Sequence, residues 1–401
     1  MALDVLFYFP KLVGRAHNMN ICHVTPHLPP DQAANALFPF HLGDWATSNG
    51  HDVAFIAHPP LSGEATALPG SVQHIDRRAT PTNPLLRRVS SLGYALRITG
   101  STLTTLKRAD VVHLHSNGLL VETCANLAHQ LGIPTVVTLY GTDIWHYQAR
   151  FIDPFTRMYK KANHLAFYSR GLLECAEQYG LARPGVSVVY PPATKMFSPL
   201  QSDEREAQRK KLGFGNGKVL VNVKRLHPLA GQRFLIDAMP EVLRSYPDTK
   251  LVICGSGPLH DELQNRINER GLSEQVTLSG RIDNRSIATY CACADLFVLP
   301  SLLEACPTVA VEALACGTPV VSSDNPGGVE LNALFGDDVR LVPRERVPDL
   351  AQAIIDRLQR AARVTSDTLD LIEKSFRPTS VWKQYSSIYE TITNKTDSND
   401  S

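Results

Sequence analysis

The sequence predicts an α/β protein with two doubly wound parallel sheets, each covered by helices. Apolar stretches of strand length recur with longer segments between them, a pattern that favours right-handed βαβ units. They form two series, the first at 21–26, 53–57, 110–115, 135–140, 164–169 and 186–190, and the second at 218–224, 249–254, 275–279, 295–299, 318–323 and 339–342. The chain has 401 residues, more than one hydrophobic core normally serves, so each series predicts its own Rossmann-like domain.

The predicted boundary between the domains lies in the proline-rich, polar stretch 190–204. We place the N-terminal domain at 19–195 and the C-terminal domain at 196–372. Residues 1–18 form an extension without the early basic region of a signal peptide. We expect this extension to pack as an extra helix, with adhesion to a membrane interface as the alternative. The polar tail 394–401 is expected to be disordered.

Composition indicates an ordinary globular protein, because 43% of the residues are hydrophobic, 20% are charged and the net charge is +1. Nothing in that balance indicates a nucleic-acid partner. The eight cysteines include no Cys-x-x-Cys pair, which is typical of buried thiols in a reducing compartment. Cys291 and Cys293 lack a second pair and are expected in the core rather than on a metal ion. Since no apolar run approaches the ~18 residues that span a bilayer, we expect a cytoplasmic protein.

The segment PSLLEACPTVAVEALACGTPVVSS predicts a helix that crosses between two neighbouring strands. Apolar runs at 295–299 and 318–323 enclose it. Pro307 suits the first helical position because its φ is already helical and its missing N–H is not needed there. Gly317 suits the residue just past the end. The helix is therefore expected at about 307–316.

Two carboxylates, Glu304 and Glu312, lie on either side of this helix start. The unpaired backbone N–H groups of Thr308 and Val309, with the positive end of the helix dipole, form a place for an anion at the carboxyl edge of the sheet. Both carboxylates are placed to reach hydroxyl groups flanking a bound diphosphate, a sugar on one side and a ribose on the other. The alternative is a pair of solvated glutamates on a half-exposed helix.

This pair resembles the Glu-x7-Glu signature of the retaining, family-4 nucleotide-sugar glycosyltransferases, which have the GT-B fold. Four further segments resemble that family: VNVKRLHPLAG at 221–231, VICGSGP at 252–258, the base-binding loop within 279–301, and NPGGVE at 325–330. The resemblance covers nearly the whole chain and is most specific in its second half. It implies two Rossmann-like domains facing each other across a cleft, with a final helix at 373–393 that crosses back to the first domain. Helical spacing of Phe376, Val381, Trp382, Tyr385 and Tyr389 suits that docking.

The resemblance also assigns residues to roles, with the first glutamate on the donor sugar and the second on the ribose. The residues it places in catalysis are Glu304, Arg225 and Tyr140. The donor-binding residues it implies are Lys224, Arg225, Gly255, Arg281, Ile282, Glu304, Cys306, Pro307, Thr308, Val309 and Glu312. On the acceptor side of the cleft it implies Ala33, Ala34, Asn35, His115, Tyr140 and Asp143.

Arg225 is the residue best suited to the leaving diphosphate. It directly follows an apolar strand, and its planar guanidinium fits two phosphate oxygens, which lowers the barrier as negative charge develops there. The alternative is a surface residue that caps the sheet edge. The family's partner lysine is replaced here by Ala230. Lys224 is the nearest cation in sequence, but it can substitute only if the strand has already ended, because consecutive strand residues point to opposite faces.

Two more departures affect the first domain. Tyr140 stands where the family has a histidine in its Thr-x-His-Gly turn, and a tyrosine can donate a hydrogen bond but carries no positive charge. The stretch 32–35 replaces a Gly-Gly loop, and its Cβ atoms restrict φ and close approach. Together, these departures from the family pattern are expected to affect how the donor phosphates are held and the rate of transfer, but not the fold.

The sequence predicts a metal-independent enzyme without a cofactor, the donor being a co-substrate. No Asp-x-Asp occurs in the chain, whereas metal-dependent enzymes commonly hold the diphosphate through carboxylates and a divalent ion. His113 and His115 alternate onto one face of a strand. We expect them to line the core or a pocket, and a metal site is the alternative, for which no third ligand is evident.

Seven basic residues and no acidic one occur from Arg77 to Arg108. A solvated helix face is one interpretation, and peripheral contact with an anionic membrane, at its inner face, or with an anionic acceptor is the other. The overall hypothesis is a retaining transferase that moves a sugar to a glycan, a lipid-linked glycan or a small metabolite. The alternatives are another GT-B enzyme, such as a phosphorylase or an epimerase, and a pseudoenzyme, which the residues at Ala230 and Tyr140 motivate.

Overall fold

The computed structural model describes residues 18–31, 34–61, 67–78, 81–145, 147, 153–181 and 183–397. The first domain contains a seven-stranded parallel sheet in the order β3-β2-β1-β4-β5-β6-β7. Its strands are β1 (Asn20–Val24), β2 (Asp52–Ala57), β3 (Ser71–His74), β4 (Val111–His115), β5 (Thr135–Leu139), β6 (His164–Phe167) and β7 (Val186–Val188). Its helices are α1 (Ala34–Ser48), α2 (Pro84–Leu106), α3 (Leu119–Gln130), α4 (Thr142–Trp145), α5 (Pro154–Lys161) and α6 (Arg170–Gln178).

The second domain contains a six-stranded parallel sheet in the order β10-β9-β8-β11-β12-β13. Its strands are β8 (Val219–Val223), β9 (Lys250–Cys254), β10 (Val276–Gly280), β11 (Leu296–Leu299), β12 (Val320–Ser323) and β13 (Val339–Val342). The helices of this half are α7 (Ser202–Lys211), α8 (Gln232–Ser245), α9 (His260–Glu269), α10 (Asn284–Cys293), α11 (Thr308–Ala315), α12 (Pro326–Phe335), α13 (Val347–Arg360), α14 (Ser366–Ser375) and α15 (Pro378–Asp397).

The predicted fold class is confirmed, and every predicted apolar stretch overlaps a strand. These strands are recognisable in sequence because parallel strands are covered on both faces and read as continuous apolar runs. The exception is β3, which the sequence analysis missed. Its residues Ser71, Val72 and His74 are exposed and it pairs only with β2 at the edge of the sheet, so it carries no hydrophobic pattern.

The last helix connects the two domains. Val381, Trp382, Tyr385 and Tyr389 of α15 are buried in the core of the first domain. Phe376, which the helical spacing had grouped with them, instead belongs to the core of the second domain, where its ring stacks on Tyr190 at 4.8 Å between centroids. The reason is that the helix begins at Pro378, so Phe376 lies between α14 and α15.

The C-terminal end of the described chain is more helical than the sequence predicted. The helix α15 continues to Asp397, so residues 394–397 are helical rather than disordered as expected. Residues 398–401 and, apart from Asn18, the extension at 1–18 lie outside the described residues. Within the described ranges, none of the helices has the length and hydropathy that crossing a bilayer requires.

Candidate functional site

Three loops of the second domain meet at the carboxyl edge of its sheet, directly after β8, β9 and β11. Parallel strands all end at the same edge, which is where ligands bind in such sheets. Gly255, just after β9, has φ +151°, and a Cβ there would lie 2.0 Å from the carbonyl oxygen of Lys224. Only glycine allows this approach, so it fixes the loop after β8 against the loop after β9.

Helix α11 starts beside these loops. It begins at Thr308, and Pro307 occupies the N-cap position rather than the first helical position that the sequence predicted, with φ −77° and ψ 88°. This one-residue shift leaves the backbone N–H groups of Thr308 and Val309 at the helix start, where they have no partner within the helix. Gly317 follows the helix with φ +79°, as predicted.

The loop before α11 carries Glu304, whose side chain is only 9% exposed. The Lys224 Nζ atom lies 2.6 Å from Glu304 Oε1. β8 ends at Val223, so Lys224 lies outside the strand and its side chain need not point to the face opposite Arg225. This meets the condition under which Lys224 can replace the lysine that is missing at Ala230. Glu304, which the resemblance places on the donor sugar, is therefore in contact with Lys224, the cation nearest in sequence to Arg225.

The NPGG segment holds this loop in place. The Gly327 N–H donates to the Glu304 carbonyl oxygen at 3.0 Å. A Cβ on Gly327 would lie 2.9 Å from Glu304 Cβ and 2.8 Å from Pro307 Cδ, so a side chain at this position would displace the loop. Asn325 caps α12 through its Oδ1 atom and donates from Nδ2 to the Ser301 carbonyl oxygen at 2.9 Å.

Glu312 lies in the second turn of α11 and is half-buried. Burial raises the pKa of its carboxyl group to about 8. A carboxyl group held out of water in this way is mostly protonated near neutral pH, so it can donate a hydrogen bond as well as accept one.

Arg225 is exposed, and its side chain makes no hydrogen bond or ion pair to any described residue. Its carbonyl oxygen accepts from Gln232 Nε2 at 3.2 Å, which fixes the backbone of the loop. Ala230 is buried in the short turn that leads into α8. Gly231 follows with φ +68°, and a Cβ there would lie 2.1 Å from the Pro300 carbonyl oxygen.

Three more predicted donor-binding residues border this edge. Arg281 is exposed and Ile282 is half-buried, both just after β10. Cys306 lies in the Glu304 loop, and burial followed by the charges of Glu330 and Glu304 raises the pKa of its thiol well above the usual value. The Cys306 side chain is therefore a neutral thiol rather than a thiolate nucleophile.

The first domain faces this edge through the turn after β5. A Cβ on Gly141 would lie 3.4 Å from Ala305 Cβ, so the turn lies against the Glu304 loop. The Tyr140 hydroxyl is 2.7 Å from His115 Nδ1, and the Tyr140 ring lies 4.5 Å from that of Tyr168. Two residues predicted for the cleft, Tyr140 and His115, thus lie at the turn that contacts the Glu304 loop, and the Tyr140 hydroxyl is hydrogen-bonded to the buried His115.

Asp143, which the resemblance places on the acceptor side of the cleft, is hydrogen-bonded to the turn after β5. Its carboxylate accepts from the Gly141 N–H at 2.8 Å and from the Tyr140 N–H at 3.3 Å. Burial raises the pKa of this carboxyl, while these hydrogen bonds lower it. Asp143 therefore shapes the turn that carries Tyr140.

The loop after β1 is the other acceptor-side element. Asn35 lies in the first turn of α1, and its carbonyl oxygen accepts from the Thr25 hydroxyl. Ala34 is the first residue of α1. Ala33 and its neighbour Gln32 lie outside the described residues.

His113 and His115 do have a third histidine beside them, His23 on β1, which the sequence analysis missed. Their ligand nitrogens and those of His23 lie within 4.8 Å of one another. His23 Nδ1 is 3.0 Å from His115 Nε2, while His113 contacts the Tyr389 hydroxyl and Thr138 Oγ1, each at 2.7 Å. Only neighbouring strands in the sheet bring these residues together, and no local pattern in β1 marks His23.

The rings of this histidine cluster (His23, His113 and His115) are fully buried and hydrogen-bonded to one another and to neighbouring hydroxyl groups. The His113 and His115 rings lie with centroids 4.1 Å apart and planes tilted by 31°. Among the described residues, His23 Nε2 is the ring nitrogen of the cluster that has no hydrogen-bond partner. The arrangement agrees with the expected role in the core and joins the first sheet to α15.

Acid is expected to destabilise the fold through this cluster. Burial lowers the pKa of His23 to about 3 and that of His113 and His115 well below 6.5. Below about pH 6.5 these histidines are protonated in the unfolded chain but stay neutral in the folded chain. The free energy of unfolding therefore falls as the pH falls. The loss approaches about 1.4 kcal/mol per pH unit for each histidine. Urea unfolding at pH 7, 6 and 5 measures it.

A pair of variants isolates this effect from other titrating groups. His23→Phe keeps a ring beside Phe55, which His23 stacks on at 5.5 Å, and should reduce the pH slope by the share of one histidine. His260→Ala removes an exposed histidine on α9 and should leave the slope unchanged. A slope that is the same in both variants and in the unaltered chain would show that His23 is protonated in the folded protein.

Glu330 is a residue whose position the sequence analysis did not foresee. It lies on α12 of the second domain, but its carboxylate accepts from the backbone N–H groups of Arg170 and Gly171, at 2.5 and 3.0 Å. These are the first residues of α6 in the first domain, so the carboxylate meets the positive end of that helix. The Tyr190 hydroxyl donates to it at 2.9 Å. Glu330 therefore fastens the two domains beside the cleft.

Two family models match the chain, one on each domain. The model described as Glycosyltransferase Family 4 matches residues 40–193, and the model described as Glycosyl transferases group 1 matches residues 204–365. The boundary between the two matches falls between the sheets, within the proline-rich stretch 190–204.

Several characterised proteins resemble the chain. A GDP-mannose-dependent alpha-(1-6)-phosphatidylinositol monomannoside mannosyltransferase of Mycolicibacterium smegmatis is 34% identical over 172 residues, which are 41% of this chain and 44% of that protein. A glycogen synthase of Mycobacterium tuberculosis is 27% identical over 361 residues, 82% of this chain and 85% of that protein. The crystal structure of HepE from Anabaena in complex with UDP superposes with a TM-score of 0.72 at 18% identity, covering 93% of this chain and 100% of that one.

Both halves of the chain resemble glycosyltransferases. The family models cover both halves, the solved structure shares the two-sheet fold, and the relatives transfer sugars. The chain belongs to the family-4 type of nucleotide-sugar glycosyltransferases with the GT-B fold.

Proposed function

We propose that this protein is a retaining glycosyltransferase that moves a sugar from a nucleoside-diphosphate sugar to a hydroxyl of a glycan, a lipid-linked glycan or a small metabolite. The observation that carries the proposal is the contact between Lys224 and Glu304, 2.6 Å apart beside the start of α11. A cation, a buried carboxylate and free backbone N–H groups are thereby collected where a diphosphate and its sugar would bind.

Each side chain has a defined part in this proposal. The N–H groups at the start of α11, with Lys224 and Arg225, would hold the diphosphate, Glu304 the donor sugar and Glu312 the ribose. The acceptor oxygen would attack the anomeric carbon on the face of the leaving group. The bond from that carbon to the phosphate oxygen breaks, the bond to the acceptor oxygen forms, and the acceptor's proton passes to a phosphate oxygen. No covalent enzyme intermediate is required.

The nucleotide differs among the proteins that resemble this chain. The mycobacterial mannosyltransferase uses GDP-mannose, and the Anabaena protein was crystallised with UDP. A thermal-shift panel of UDP, GDP, ADP and their sugars would select the base, since a ligand present at a hundred times its Kd adds about 2.7 kcal/mol of stability. The anomeric configuration of the transferred sugar, measured by NMR, then tests retention.

The possible outcomes separate the proposal from its alternatives. Transfer with the anomeric configuration kept supports it, and inversion would overturn the retaining mechanism. Binding of a nucleotide with no turnover on any acceptor would favour a pseudoenzyme. Breakdown of a glycan by inorganic phosphate without any nucleotide would identify a phosphorylase instead.

Chelation is expected to leave the transfer activity largely intact. The cations and backbone donors named above can hold the diphosphate, and the chain has no Asp-x-Asp to bind a divalent ion to it. Initial rates with EDTA should therefore be close to rates with added magnesium or manganese. A steep requirement for either ion would make this prediction wrong.

A further inference from the structure

Helix α2 covers the outside of the first domain and buries only one of its sides. Tyr94, Ile98, Thr102 and Leu106 recur every four residues and are all buried. This side packs on the sheet and on α3. The helix is 23 residues long, so its opposite side forms an extended surface.

The opposite side of α2 carries a row of exposed apolar side chains. Leu86 is 58% exposed, Val89 64%, Leu92 66% and Leu96 66%. Their spacing of three, three and four residues places them along one face of the helix. Single exposed apolar residues are common on protein surfaces, but a row of four on one helix is not. The other exposed large hydrophobic residues of the described chain are scattered over separate elements.

Arginines border this apolar row. At 100° per residue, Arg88 and Arg97 fall on the two sides of the row, and both are exposed, as is Arg87. The carboxylate nearest in sequence, Asp76, is already paired with Arg97 at 3.0 Å. The net charge of the whole chain is only +1, so the surface around Arg87, Arg88 and Arg97 is more basic than the molecule as a whole.

We propose that this α2 face, formed by Leu86, Val89, Leu92 and Leu96 with its flanking arginines, docks the protein on an anionic lipid bilayer. A helix with an apolar row between cations lies in the plane of the interface, with its apolar side chains among the acyl chains and its cations among the head groups. Charge complementarity selects the bilayer over an uncharged apolar partner. The proposal stands independently of the transfer chemistry, because docking is measured without a donor or an acceptor.

Vesicle flotation of the full chain tests the docking. Binding is expected to vesicles that contain phosphatidylglycerol, to weaken as salt is raised, and to be much weaker on phosphatidylcholine alone. Changing Leu86, Val89, Leu92 and Leu96 to serine together should reduce binding at least tenfold. Arg88→Gln with Arg97→Gln, the two arginines that flank the row, should reduce it by roughly fivefold for each arginine. All six side chains are exposed, so thermal melting should be unaltered.

Matched substitutions on other surfaces distinguish vesicle binding through the α2 face from nonspecific hydrophobic binding. Tyr179→Ser and Met196→Ser remove exposed apolar side chains from other surfaces, 46% and 52% exposed, and should leave vesicle binding unchanged. Equal loss in these controls, or binding that ignores both lipid charge and the α2 changes, would overturn the proposal. So would absence of vesicle binding together with a dimer that the four serines dissociate, because the face would then be an interface between two copies of the chain.

Discussion

Replacing Glu304 with alanine is expected to lower the rate of sugar transfer by about two to three orders of magnitude while nucleoside-diphosphate binding changes little. Glu312→Ala is expected to weaken nucleoside-diphosphate binding itself, by roughly one to two orders of magnitude. The difference follows from position, since Glu304 precedes α11 and contacts Lys224, whereas Glu312 lies inside the helix, away from that contact. Calorimetry with the nucleoside diphosphate and with the nucleotide sugar, together with initial rates, separates the two effects.

Glutamine variants sharpen this comparison. Because burial raises the pKa of Glu312 to about 8, its carboxyl group is mostly neutral at pH 7, and Glu312→Gln should retain far more nucleotide affinity than Glu312→Ala. Glu304 is paired with a cation, so Glu304→Gln loses the charge and should resemble Glu304→Ala. Glu241→Ala, on an exposed part of α8, is the control and should change neither quantity. Equal, negligible losses at Glu304 and Glu312 would reduce the pair to structural residues.

The fold was predictable because its information is local. Strands such as Val219–Val223 and Leu296–Leu299 are buried along their whole length, and their apolar runs show this directly. The edge strand Ser71–His74 gave no such signal because it is mostly exposed. The placement of Pro307 was wrong by one residue, since both the N-cap and the first helical position tolerate a missing N–H.

The candidate site was predictable only in part. Its loops follow strands, and the carboxyl edge of a parallel sheet is where such loops meet, so Lys224, Arg225 and Glu304 could be grouped from sequence. The contacts that decide how these groups behave join residues far apart in the chain. The bonds from Glu330 to the start of α6 and from Tyr140 to His115 depend on how elements pack, and no local pattern encodes them.

The last large prediction is that Lys224 supplies the positive charge that is missing at Ala230. The family's phosphate-binding lysine is missing at Ala230, while Lys224 places its Nζ atom 2.6 Å from Glu304 Oε1. If Lys224 supplies the missing charge, Lys224→Ala should weaken diphosphate binding by roughly one to two orders of magnitude, since a charge-assisted contact is worth about 1.5–3 kcal/mol. Ala230→Lys should tighten that binding, and Lys224→Ala should cost less in the Ala230→Lys background. Calorimetry with the nucleoside diphosphate on all four proteins completes the cycle.

Burial at position 230 makes a neutral control necessary. Ala230 is only 3% exposed, so a long side chain there must displace its neighbours to reach the cleft. This overpacking lowers the free energy of unfolding whatever the charge of the side chain. Ala230→Met supplies the length without the charge, and the difference between the lysine and methionine variants isolates the electrostatic gain. Lys224→Met does the same at the other position, where removal of the cation leaves the buried Glu304 carboxylate unpaired. Additive effects in the cycle, or no loss from Lys224→Ala in either background, would show that the two positions do not serve one phosphate site. If Ala230→Lys also fails to give turnover in a chain that binds nucleotide but transfers no sugar, the pseudoenzyme becomes the better explanation.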